Sequence, residues 1–207
     1  MHGNDVYNLI NKKSFKGGYF YSISELTAIY LAKTDYLLHC SGDTLISRSK
    51  IDWITESIKY MEKDKDIFAS NPCWTKNIIA IKVESDSEDN SFFYGKGFSD
   101  QCYLVNVQKM KKKIYNETNS VSEMKYPKHG GMLFEKRVNA YMRNHSLKRI
   151  TAKNSFYVHK NFPKGILKNI EISLLKKSGK RVFADYFNNI KKIISNRPYR
   201  IRKYITK

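Results

Sequence analysis

The sequence predicts an α/β protein: a mixed, mainly parallel sheet flanked by helices. Short apolar runs at 36–40, 67–70, 78–83 and 102–107 alternate with stretches of helical period, and polar turns separate them. The 207 residues suffice for a core of ordinary size. Hydrophobic residues make up 41% and aromatic residues 14%, with 15 Tyr and only 4 Pro, which excludes a disordered linker.

Taken in order, Ser22 and Glu25 form the S-x-x-E signature of a helix start. Leu26, Ile29, Tyr30 and Lys33 follow at helical spacing, predicting a helix that stops near Thr34. Residues 35–40 (DYLLHC) read as a short buried strand, and Ser41-Gly42-Asp43-Thr44 as a polar turn. Ile51, Ile54, Ile58 and Met61 share one face of a second helix over 49–63. A strand is expected at 67–70, ended by Asn71-Pro72. Further strands are expected at 78–83 (IIAIKV) and 102–107 (CYLVNV), the first followed by an exposed acidic loop and the second by a Lys-rich helix.

Leu133, Phe134, Val138, Tyr141 and Met142 predict a helix over 132–145, and two short β segments follow near 147–151 and 155–159. The rest predicts two basic amphipathic helices, the second with an apolar stripe from Val182 to Ile194. The expected division is a domain over 1–160 and a basic helical extension over 161–207. Repeats and low-complexity tracts are absent.

Three cysteines, Cys40, Cys73 and Cys102, form no CxxC pair, which argues against a zinc ribbon or a dithiol redox motif. They are expected to act as small buried apolar residues in a reducing compartment. No signal sequence is visible, and no stretch reaches the roughly 18 apolar residues of a membrane span. The expectation is cytoplasmic, peripheral on the inner face of the membrane. The net charge is +19, and residues 160–207 carry 14 Lys+Arg against Glu171 and Asp185. An anionic membrane surface suits both the tail's charge and its apolar stripe, and packing on the domain explains the stripe equally. Nucleic acid ranks last, because no recognition motif accompanies the charge.

Asp43 carries the chemistry. It follows a strand's carboxyl end, where ligands sit in open α/β sheets. A carboxylate there can hold a divalent cation that neutralises a diphosphate. The plainer alternative is a turn aspartate capping the next segment.

The segment Tyr36-Leu37-Leu38-His39-Cys40-Ser41-Gly42-Asp43-Thr44 resembles the strand and "DxD" turn of family 2-like glycosyltransferases of GT-A fold. Glu135-Lys136-Arg137-Val138 with Arg143 resembles the helix that carries the family's catalytic base, and Val158-His159 the strand end bearing a metal-binding His. The resemblance spans roughly 22–160. It implies a nucleotide-sugar donor, a glycan or lipid-linked acceptor as in surface polysaccharide assembly, and inversion by direct displacement. Ser41, Gly42 and Asp43 would hold the diphosphate, and Asp43 and His159 would ligate Mg²⁺ or Mn²⁺. Asp100, in the loop Gly95-Lys96-Gly97-Phe98-Ser99-Asp100-Gln101, or Glu135 would deprotonate the acceptor.

Departures from the pattern are specific. Ser41 replaces the first acid of DxD, and Lys136 replaces an acid beside Glu135. Only 34 residues precede Asp35, fewer than the family's first nucleotide-binding half requires, so a truncated enzyme, an inactive remnant or a basic binding module is the alternative. His159 and Glu135 also have ordinary readings, as a locally bonded strand-end His and an exposed helix residue. The segment His129-Gly130-Gly131 reads as a mobile acceptor loop or a plain connector. Trp53 reads as packing, and Trp74 as packing or as a platform for a sugar face.

Overall fold

The computed structural model describes residues 15, 17–41, 44–46, 52–126 and 133–159. In order, these form α1 (Gly18–Leu31), β1 (Tyr36–Cys40), β2 (Thr44–Ile46), α2 (Trp53–Lys63), β3 (Ile67–Cys73), α3 (Ile78–Val83) and β4 (Ser87–Glu88). Then come β5 (Phe92–Gly95), β6 (Cys102–Asn106), α4 (Val107–Met110), α5 (Ser120–Lys125), α6 (Phe134–Asn144) and β7 (Lys148–His159). The two C-terminal helices expected after residue 160, and Gly42 and Asp43, lie outside the described residues.

The sheet runs β1-β6-β3-β7-β5-β4, with β2 also paired to β7. It is mixed, as expected, but not mainly parallel. Among the described strands only β3 and β7 pair in parallel; the other five pairings are antiparallel. The expectation failed because unbroken apolar runs report burial on both faces, and burial carries no information on chain direction.

Both faces are indeed covered. Tyr103 and Val105 of β6 point to one side and meet Leu26 and Ile29 of α1 with Phe134, Val138 and Met142 of α6. Leu104 points the other way, into a cluster with Trp53 and Met61 of α2, Ile67 and Ile150. The Asp52 side chain accepts from the Thr55 N–H and starts α2, and the Ser57 and Ser70 hydroxyls pair at 2.7 Å to fix it on β3.

Several local expectations change. Residues 78–83 are a helix, because the Asn77 side chain accepts from the N–H groups of Ile79 and Ala80 and only Ile81 is buried. A one-sided burial suits a single helical turn laid on the sheet. Ser22 lies inside α1 rather than at its start. β3 passes through Pro72, beyond the Ser70–Leu104 pair at which its pairing with β6 stops. The two segments expected at 147–151 and 155–159 are one strand, β7. It bulges: Pro72 pairs with Ala152 but Cys73 with Phe156. No helix among the described residues is long and apolar enough to cross a membrane.

Candidate functional site

The loop of residues 95–101, between β5 and β6, is the hub. Its position follows from several anchors. The Tyr126 hydroxyl donates to the Phe98 carbonyl and accepts from the Phe98 N–H, and Nη2 of Arg143 donates to the Lys96 carbonyl at 3.0 Å. A side chain on Gly95 would begin 2.6 Å from the Glu84 carbonyl oxygen, so the loop leaves β5 through a passage only glycine fits.

At the loop's far end, Gln101 reaches the turn that contains Asp43. Its carbonyl accepts from the Ser41 N–H at 2.8 Å and from the Thr44 hydroxyl at 3.2 Å. Ser41 and Thr44 are joined by their hydroxyls at 2.6 Å and by a main-chain bond of 3.0 Å. Ser41 thus serves here as a structural pin. Thr44 in turn pairs with His159 across β2 and β7. The chain on either side of Asp43 therefore meets both the Asp100–Gln101 corner and the strand end bearing His159.

Glu135 arrives from another direction. It sits in the first turn of α6, whose N-cap, Leu133, has no capping group. The missing acceptor comes from α1: the buried Ser22 hydroxyl donates to the Gly18 carbonyl and accepts from the Phe134 N–H, both at 2.8 Å. Phe134 then packs among Phe98, Tyr103 and Tyr115. Glu135, half-buried beside it, accepts a hydrogen bond from the Asp100 N–H. Its carboxyl is pushed up to about 7, first by burial and then by the Asp100 carboxylate, against the smaller opposing pull of that N–H and of Lys125.

Asp100 and Glu135, taken from the sequence as alternatives, are thus neighbours. Two carboxylates so placed, one with a near-neutral pKa, can hold and pass a proton at neutral pH. Lys136, the departure beside Glu135, turns to α5 and pairs with Glu123 at 3.4 Å. Arg143 acts on the loop rather than on the carboxylates, bonding Asn139 as well as Lys96.

The sequence did not single out Tyr126, Tyr157 or Arg149. Tyr157 bonds the Ser99 side chain, and Arg149 is 6% exposed with its guanidinium over the Trp74 ring at 4.9 Å. Trp74 is thereby occupied on one face, while Trp53 is core as expected. The only available signal for the buried arginine was the paired glycines of the loop it touches.

Cys73 and Cys102 are buried as expected, whereas Cys40 is exposed. Cys40 and Cys102 face each other on β1 and β6 with sulfurs 3.8 Å apart, one exposed and one buried. No group of three or more His, Cys, Asp or Glu suited to a metal occurs among the described residues, which do not include Asp43. No family model matches the chain, and no curated protein matches it.

Proposed function

We propose that the chain is a glycosyltransferase domain of the GT-A type, moving a sugar from a nucleotide-sugar to a glycan or lipid-linked acceptor. One observation carries the reading. Candidate residues from separate stretches of sequence share one corner: Glu135 lies against Asp100, and the neighbouring Gln101 and Thr44 link Ser41 and the His159 strand end to it. The corner lies at the carboxyl end of β1, where Asp43 follows in sequence.

In this reading Glu135, with Asp100 beside it, accepts the acceptor hydroxyl's proton. A carboxylate raised to about 7 is a stronger base than an exposed one and is still ionised in part at neutral pH. The acceptor oxygen then bonds the anomeric carbon as the nucleoside diphosphate leaves from the opposite side. Asp43 and His159 would supply an oxygen and an imidazole donor, a set that fits Mg²⁺ or Mn²⁺, and Thr44, which follows Asp43 in sequence, pairs with His159. Bound there, the cation would neutralise charge on the departing diphosphate.

The test is release of nucleoside diphosphate from a panel of nucleotide-sugars with Mn²⁺, comparing the native chain with Asp43→Ala and Glu135→Gln. Turnover in the native chain alone is the expected result. Equal turnover in all three, none included, overturns the reading and leaves a basic binding module.

A further inference from the structure

A second chemistry lies on the other side of the same loop. Arg149 of β7 is 6% exposed, yet its guanidinium makes no hydrogen bond and no close ion pair among the described residues, and its Nε is buried without an acceptor. Burying a guanidinium without an acceptor is costly, and proteins rarely tolerate it unless something else satisfies the group. The Trp74 ring covers one face of the guanidinium but accepts none of its in-plane N–H groups.

The loop lies directly against the guanidinium because position 97 is glycine. The position a Gly97 side chain would occupy lies 2.9 Å from Nη1 of Arg149 and 3.7 Å from Nζ of Lys125. Two cations therefore approach the same point of the loop, and any side chain at position 97 would push against the guanidinium. Lys125 pairs with Glu84 at 3.3 Å, both side chains partly exposed, and such a pair yields readily to a competing anion. The acids nearest this point are Glu84, whose charge acts on Arg149, and Glu135, whose charge acts on Lys125. Neither bonds the guanidinium.

We propose that Arg149 and Lys125 form an oxyanion site, with Trp74 as its wall and Gly97 as its floor, that takes a phosphate or carboxylate group. The planar fork of Arg149 suits the paired oxygens both groups present, and Lys125 supplies a second charge. The proposal stands whether or not the chain transfers sugars. If it does, an anion held here belongs to a substrate that reaches the Asp100–Glu135 pair from the other side of the loop.

The experiment follows the arginine Nε–Hε resonances of the full chain by ¹⁵N NMR during titration with inorganic phosphate, with glucuronate and with neutral glucose. The expected result is a saturable shift of the Arg149 resonance with phosphate, glucuronate or both, and none with glucose. Which anion saturates identifies the source of the charge. Gly97→Ala, whose methyl would press on Nη1, is expected to weaken that binding by roughly tenfold or more, the equivalent of one charge-assisted hydrogen bond. An Arg149 resonance that stays still, or drifts linearly alongside those of the basic tail, means adventitious binding only and overturns the site. So does unchanged affinity in Gly97→Ala with its native fold retained.

Discussion

The main chain of Asp100 donates a hydrogen bond to Glu135 while the Asp100 side chain opposes its ionisation. The two influences come from one residue and have opposite signs, and mutation can separate them. Asp100→Asn keeps the N–H and removes the charge. The Glu135 pKa should then fall from about 7 by roughly one unit. Carboxyl ¹³C NMR reads this directly, and any transferase activity should extend to lower pH in step. A pKa that does not move would show that burial alone sets it.

Glu135 also ties stability to pH. Its folded pKa, about 7, lies above the unfolded value of about 4.3, so the unfolded chain gives up the proton first. Folding stability should therefore decline as pH rises between those values and level off outside them. Glu135→Gln removes this slope. The difference between pH 4 and 8 should be on the order of 1–3 kcal/mol, towards the lower end because the side chain is partly exposed. Urea unfolding at both pH values measures it, and identical slopes in the two proteins would refute the assignment.

Ser22 stands between two helices with one hydroxyl. Ser22→Ala leaves the Phe134 N–H buried without its acceptor, a loss of about 1–3 kcal/mol. Because Phe134 adjoins Glu135, the substitution should also shift the Glu135 titration, although the two side chains belong to different helices. Unchanged thermal unfolding would mean that α6 finds another cap.

The thiols of Cys40 and Cys102 form a directly opposed cross-strand pair. Ser41 N–H donates to the Gln101 carbonyl one step along, which makes the cysteine pair a non-hydrogen-bonded one, where side chains approach most closely. The thiol of Cys40, exposed, is made more acidic by its hydrogen bond with Cys102. Oxidised glutathione should convert the pair to a disulfide, each thiol losing its hydrogen as two glutathione thiols are released. Peptide mapping without reductant should recover the 40–102 link, and should find Cys73, buried and with its pKa pushed up to about 11, still free. A mapped protein without that link would contradict the geometry.

What could be read from the sequence depended on whether a pattern had one physical cause. The helices around Ile54, Ile58 and Met61, and around Phe134, Val138 and Met142, stood out because one stripe faces one core. Ile78–Val83 misled, since six apolar-rich residues fit a strand as well as a helix and the deciding group is the Asn77 cap. Ser22 misled differently: a hydroxyl suited to starting its own helix instead starts a distant one. At the site, Asp100 and Glu135 were legible as carboxylates in plausible places. Their adjacency, and the burial of Arg149 against Gly97, depend on contacts dozens of residues apart, which no local spacing encodes.

The bulge in β7 separates two jobs within one strand. Up to Ala152 the strand is locked between β3 and β5 and fixes Arg149; beyond Phe156 it is matched to β2 and ends at His159. Residues 153–155 have no counterpart on β3 and are held instead from the other side, where the Lys153 N–H donates to the Ser91 carbonyl at 3.0 Å. Lengthening or shortening that stretch would slide the strand end along β2 while leaving the core and the arginine in register. A lineage could retune the reach of this strand end, one residue at a time, without rebuilding the fold that carries it.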